Sequence, residues 1–133
     1  MKQILFASLV SIAASGCAPT ANPEAAAAAD AKLEAVLAGR TAEAPIACVS
    51  QRLLRGNKSY GSDTIVFEGH TRNLVYVNRP PGGCPELNGF RALRTRTTTD
   101  QLCRGDIVTV FDPTSGVEHG SCGLGDFIAY RRR

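Results

Sequence analysis

The distribution of apolar positions changes character along the chain. From Ile46 to Arg133 they fall in short runs rich in Val, Ile, Thr, Tyr and Phe, bounded by Gly, Pro, Asn and Asp. That is the pattern of short β-strands. The predicted strands are Ile46–Leu54, Thr64–Glu68, Asn73–Asn78, Phe90–Thr97, Ile107–Asp112, Val117–Cys122 and Phe127–Tyr130. Gly69-His70-Thr71-Arg72 is a four-residue connection suited to a hairpin. Asp112-Pro113-Thr114-Ser115-Gly116 places Pro and Gly where a turn uses them. No helical period is sustained in this half. The expected fold is mainly β, a small antiparallel barrel or sandwich.

Upstream, residues 18–45 are rich in alanine and hold no aromatic residue, so they cannot build a core alone. Asn22-Pro23-Glu24 reads as a helix start, with Asn as the cap, Pro at the first helical position and an acid in the first turn. Strong helix formers run to Ala38, and Gly39 sits where a C-terminal cap belongs. Leu33, Val36 and Leu37 form a short apolar stripe near the end. An isolated helix of this length is marginal in water, so two readings stand: a helix docked through its last turns, or an alanine-rich tether.

The first residues carry a third pattern. Met1 and Lys2 precede an apolar run from Ile4 to Ala14, then Ala14-Ser15-Gly16-Cys17. One basic residue, a short apolar stretch and small residues at a cut site describe a secretory signal. The run is shorter than the roughly 20 residues a spanning helix needs. Small-small-Cys resembles the lipobox of bacterial lipoproteins, in which Cys17 would be lipidated and become the new N-terminus. The alternative is ordinary secretion after Ala13-Ala14-Ser15. The expected division is therefore a lipoprotein signal over 1–16, a lipidated Cys17 with an alanine-rich segment over 17–45, and a β domain over 46–133. Ala18 stands where an aspartate retains many lipoproteins at the inner membrane. By resemblance to that sorting rule, the expected address is the outer membrane facing the periplasm, with a soluble periplasmic protein as the alternative.

Cysteine parity agrees with lipidation. The chain has five cysteines, an odd number for an oxidising compartment. Assigning Cys17 to a lipid leaves Cys48, Cys84, Cys103 and Cys122 for two disulfides. No pair among them has the spacing of a structural zinc site, so no metal is expected. A β domain of this size buries a limited core, and two bridges suit it. Four cysteines allow three pairings. The expected one is Cys48–Cys122 with Cys84–Cys103, tying the opening strand to the penultimate one and pinning the Arg79–Gly83 loop to the turn at Leu102–Asp106.

The series Cys48, Tyr76-Val77-Asn78, Cys84, Leu102-Cys103-Arg104-Gly105-Asp106 and Cys122-Gly123-Leu124-Gly125-Asp126-Phe127 resembles a family of small disulfide-bonded proteobacterial envelope proteins, classed as a domain of unknown function. The resemblance covers Ala44 to Tyr130. It implies a secreted, disulfide-bonded domain and supplies no activity, cofactor or catalytic residue.

The polar residues offer little chemistry. His70 falls in a predicted turn, and His119 in a strand near Ser121. With Asp63, Asp106 or Asp126 a hydrolytic triad can be drawn, but no nucleophile elbow supports it. Arg104-Gly105-Asp106 reads as a turn opening a strand, and Gly123-Leu124-Gly125-Asp126 lacks the lysine and hydroxyl of a phosphate loop. No cofactor is expected. From residue 46 onward, 12 Arg and Lys face 8 Asp and Glu. Arg91, Arg94, Arg96 and Arg131-Arg132-Arg133 are candidates for contact with anionic lipid or polysaccharide. Arg94 and Arg96 lie two apart in a predicted strand and so leave the same face. A nucleic-acid role does not fit export. Arg79, Pro80 and Pro81, in a loop stiffened by two prolines and a nearby bridge, are candidates for binding a partner at low ordering cost. These features together point to an envelope lipoprotein, anchored to the membrane by its N-terminal lipid, that is a non-catalytic binding or structural module for an envelope protein or an anionic polymer. The alternative is a periplasmic hydrolase, or a hydrolase inhibitor, acting on cell-wall material.

Overall fold

The computed structural model describes residues 22–133. The expected signal over 1–16, the lipidation site Cys17 and the sorting position Ala18 lie outside the described residues. Helix α1 (Pro23–Leu37) starts as its capping residues dictate. The Asn22 side chain accepts from the N–H groups of Glu24 at 3.1 Å and Ala25 at 3.4 Å, and Pro23 takes the first position, where no N–H is needed. Gly39 follows the helix with φ +70°, a conformation that glycine adopts without steric cost.

Ten strands follow: β1 (Thr41–Ala42), β2 (Cys48–Ser50), β3 (Leu54–Tyr60), β4 (Thr64–Gly69), β5 (Leu74–Asn78), β6 (Ala92–Thr95), β7 (Gln101–Cys103), β8 (Ile107–Phe111), β9 (Glu118–Gly123) and β10 (Phe127–Arg131). All pair antiparallel. They form a five-stranded sheet in the order β1-β10-β5-β4-β3, a three-stranded sheet β6-β8-β9 and a two-stranded ribbon β2-β7. The strands do not close into a barrel. The main core joins all three sheets: Ile65, Phe67, Tyr76 and Phe127 from the first, Leu93, Val108 and Val110 from the second, and Val49 and Leu102 from the ribbon. Phe67 and Phe127 meet there with ring centroids 5.6 Å apart, tilted as aromatic pairs prefer.

A second, smaller core lies on the other face of the large sheet. The register Val66↔Val77 puts these valines on one face, where Leu33 of α1 covers them with Val75, supported by Val36, Leu37, Tyr60 and Tyr130. This explains why β4 and β5 read as unbroken apolar runs. Both of their faces are buried, one by the second sheet and one by the helix. The alanine-rich segment is thus a docked helix.

Three expectations need correction. The expected strand Ile46–Leu54 is broken after Ser50 by a single 3-10 turn at Gln51–Leu53, and a separate strand β3 begins at Leu54. Strand β3 reads Leu-Arg-Gly-Asn-Lys-Ser-Tyr and is an exposed edge strand held by backbone pairing to β4, so it shows no apolar alternation. The barrel alternative gives way to separate packed sheets. The disulfides are Cys48–Cys103 and Cys84–Cys122, with sequence separations of 55 and 38. The expected pairing overlooked the short strand β7, which sets Cys103 directly opposite Cys48 across the ribbon. Cys84 is then left to Cys122 on β9, and this bridge fastens the proline loop to the three-stranded sheet.

Peptide mapping of the oxidised protein should find Cys48 joined to Cys103 and Cys84 to Cys122. On the chain-entropy model each loop closure is worth roughly 4 kcal/mol, so replacing either pair by serine should lower the melting temperature sharply. Leu33→Ala should destabilise by about 2–4 kcal/mol, readable as a shifted urea midpoint. An unpacked helix would show no shift.

Candidate functional site

Strand β5 ends on Asn78, a fully buried polar residue. Burying an amide is costly unless all its groups are bonded, and here one backbone unit satisfies it from both sides. The Asn78 Nδ2 donates to the Gly125 carbonyl at 2.7 Å, and the Gly125 N–H donates to Asn78 Oδ1 at 2.9 Å. Residue 125 must be glycine, since a Cβ there would collide with the Arg79 carbonyl. The lock therefore holds the loop after β5 against the loop before β10. Pro80 is buried, its carbonyl accepts from the Gly83 N–H at 2.8 Å, and the Cys84 N–H donates to Ser62 at 2.6 Å. With Cys84 bridged to Cys122, the proline loop is fixed at both ends.

This loop walls a cleft of about 340 Å³. Val77 and Ile128 form its floor, Pro45 and Pro81 its sides, and Arg79 and the Arg104–Asp126 ion pair, 3.0 Å apart, its polar rim. Two of the sequence candidates, Arg79 and Pro81, line it directly, and Pro80 supports them from beneath. An apolar floor with a few polar groups at the edge is the composition of a binding surface.

Arg94 and Arg96 lie elsewhere. Arg94 lies in β6 and Arg96 just after its end, and both reach Glu118, at 3.1 and 3.8 Å. Arg94 also stacks over Phe111 with its guanidinium carbon 4.5 Å from the ring centroid. Arg91 pairs with Glu86 at 2.6 Å, Arg131 with Glu43 at 2.9 Å, and Arg132 donates to the Ala38 carbonyl at the helix end. Arg94 thus belongs to β6 of the three-stranded sheet, with Arg91 and Arg96 flanking that strand, and Arg131 ends β10 of the five-stranded one.

The carboxylates considered for hydrolysis are engaged by other partners. Asp106 accepts from the Cys103 N–H at 2.7 Å, and Asp126 is held by Arg104. The Asp112 carboxyl is held below the usual carboxylate range mainly by the N–H of Ser115, then that of Thr114. Among the described residues no hydrogen bond joins the side chains of His119, Ser121, Asp106 and Asp126, and no group of three or more His, Cys, Asp or Glu is placed to hold a metal ion. Arg104-Gly105-Asp106 forms the turn into β8, with Gly105 at φ +88°.

A second depression, also about 340 Å³, was not legible in the sequence. It opens on the same face of the large sheet, between the end of α1 and strands β3, β4 and β5, and four cations line it: Arg40, Arg55, Lys58 and Arg72. They come from three separate segments, the residues after α1, strand β3 and the β4–β5 turn, so no local motif announces them.

No family model, curated protein or solved structure matches the chain. The reading of these clefts therefore rests on their own geometry.

Asn78→Ala should leave the buried N–H and carbonyl of Gly125 without partners and cost about 2–4 kcal/mol. Limited proteolysis should then cut first within residues 79–83. Retained stability and an uncut loop would show that the lock is not what fixes it.

Proposed function

We propose that the protein is a lipid-anchored, non-catalytic binding module of the bacterial envelope, with the proline-loop cleft as its contact surface for an envelope protein. The carrying observation is the immobilised loop. Asn78, Gly125 and the Cys84–Cys122 bridge hold Arg79–Pro81 in place before any partner arrives, so binding would incur little ordering entropy. The charged rim and apolar floor of the cleft supply orientation and contact area. Two disulfides suit an oxidising compartment, and the Ser15-Gly16-Cys17 sequence supports export with lipidation. The resemblance to small envelope proteins of proteobacteria is in keeping with this reading.

Two measurements test it. Labelling cells with a clickable palmitate should mark the wild type and leave Cys17→Ala unlabelled; equal label in both would remove the anchor from the proposal. A photo-crosslinking residue at position 81 should trap a discrete adduct in intact cells, while the same residue at position 114, in the turn before β9, should not. Equal trapping at both positions, or none at 81, would count against the cleft.

A further inference from the structure

The cations of the described residues divide into those paired with a carboxylate and those without one. Arg52, Arg91, Arg94, Arg96, Arg104 and Arg131 each make an ion pair with a carboxylate. Arg40, Arg55, Lys58 and Arg72 have no such pair among the described residues, and all four line the depression at the end of α1. Glu68 is the one carboxylate in that lining, and none of the four cations lies within ion-pair distance of it. Like charges repel, so gathering four with one acid is unfavourable unless something anionic joins them.

Arg40 gives the independent sign. Its Nε donates to the Val36 carbonyl at 2.9 Å and its Nη2 to the Arg72 carbonyl at 3.0 Å, which clamps the helix end to the β4–β5 turn. Its Nη1 is shielded from solvent and has no acceptor at all. A buried donor without a partner is rare in folded proteins and calls for an explanation. Burial, and then the neighbouring charge of Arg132, lower the pKa of this guanidinium from its ordinary value, so the charge is under-compensated where it stands. The floor around it is apolar, formed by Val36, Val66, Leu74 and Val75.

We infer that this groove is a binding site for a phosphate oxyanion. The uncommitted guanidinium forks of Arg55 and Arg72 match phosphate geometry, Lys58 adds a point charge, and Arg40 contributes its charge from the groove wall. The apolar floor suits a phosphate carried on a partly apolar body. Two sources share that chemistry: a soluble phosphate ester, and the headgroup of an anionic phospholipid. The site is separate from the proline-loop cleft and stands or falls independently of it.

The test uses the full chain and its Arg55→Ser/Lys58→Ser variant. Neither side chain makes a hydrogen bond or ion pair among the described residues, so the melting temperature should stay near that of the wild type. Arg72→Lys, which keeps the charge but not the fork, is the second variant, and Arg94→Ser/Arg96→Ser is the control outside the groove. Binding of pyrophosphate, followed by amide NMR shifts at constant ionic strength, should perturb Gly69–Arg72 and Val36–Arg40. Affinity should fall about tenfold or more in the double variant, fall also in Arg72→Lys, and hold in the control. Retention on phosphatidylglycerol vesicles that tracks pyrophosphate binding across the variants upholds the site and assigns the phosphate to a lipid headgroup. Pyrophosphate binding without retention upholds it with a soluble ester. No shift in the wild type at millimolar pyrophosphate, or equal affinity in the double variant, would overturn it.

Discussion

The central strands β4 and β5 are buried on both faces, and the rest of the molecule is arranged around that fact. A strand with no solvent face needs a covering layer on each side. The three-stranded sheet and the β2-β7 ribbon supply one, packing against Ile65, Phe67 and Tyr76. The helix supplies the other through Leu33 over Val66 and Val77. Without α1 these valines would face water, so an alanine-rich segment with no core of its own becomes a structural necessity. Arg40 and Arg132 complete the attachment by donating to the carbonyls of Val36 and Ala38, where cations favour a helix C-terminus.

The same constraint places both clefts. A single helix is narrower than a five-stranded sheet, so parts of the covered face remain open beside it. On one side Val77 and Ile128 floor the proline-loop cleft, and on the other Val66 and Val75 floor the cationic groove. The bridges serve different ends. Cys48–Cys103 closes the small ribbon, whereas Cys84–Cys122 ties the loop bordering a cleft to the opposite sheet. The cleft wall and the fold thus share elements, and Asn78 is the residue where they meet.

What the sequence made legible follows from how local each signal is. The Asn22 cap, the Asp112 turn and the apolar runs of β4 and β5 are encoded within a few residues, and they appear where expected. Asp112 Oδ1 accepts from Thr114 and Ser115 at 2.7 and 3.0 Å, the Asx turn its sequence implies. Strand β3 stayed hidden because its exposed side chains show no apolar alternation, and β7 because three residues with a single buried one, Leu102, are too short to show a period; missing β7 led directly to the wrong disulfide pairing. Proline placement pointed to one cleft. The cationic groove had no local signature, since Arg40, Arg55, Lys58 and Arg72 converge only once the helix docks.

That docking is the central claim, and native-state hydrogen exchange tests it most directly. If α1 is an integral layer, the amides of Leu33–Leu37 should exchange with an opening free energy approaching that of Ile65–Phe67 and Val75–Val77, and both should respond together to added denaturant. Exchange of the helix amides at the rate of a free peptide, with β4 and β5 still protected, would contradict it and leave the helix a decoration on a self-sufficient sheet pair.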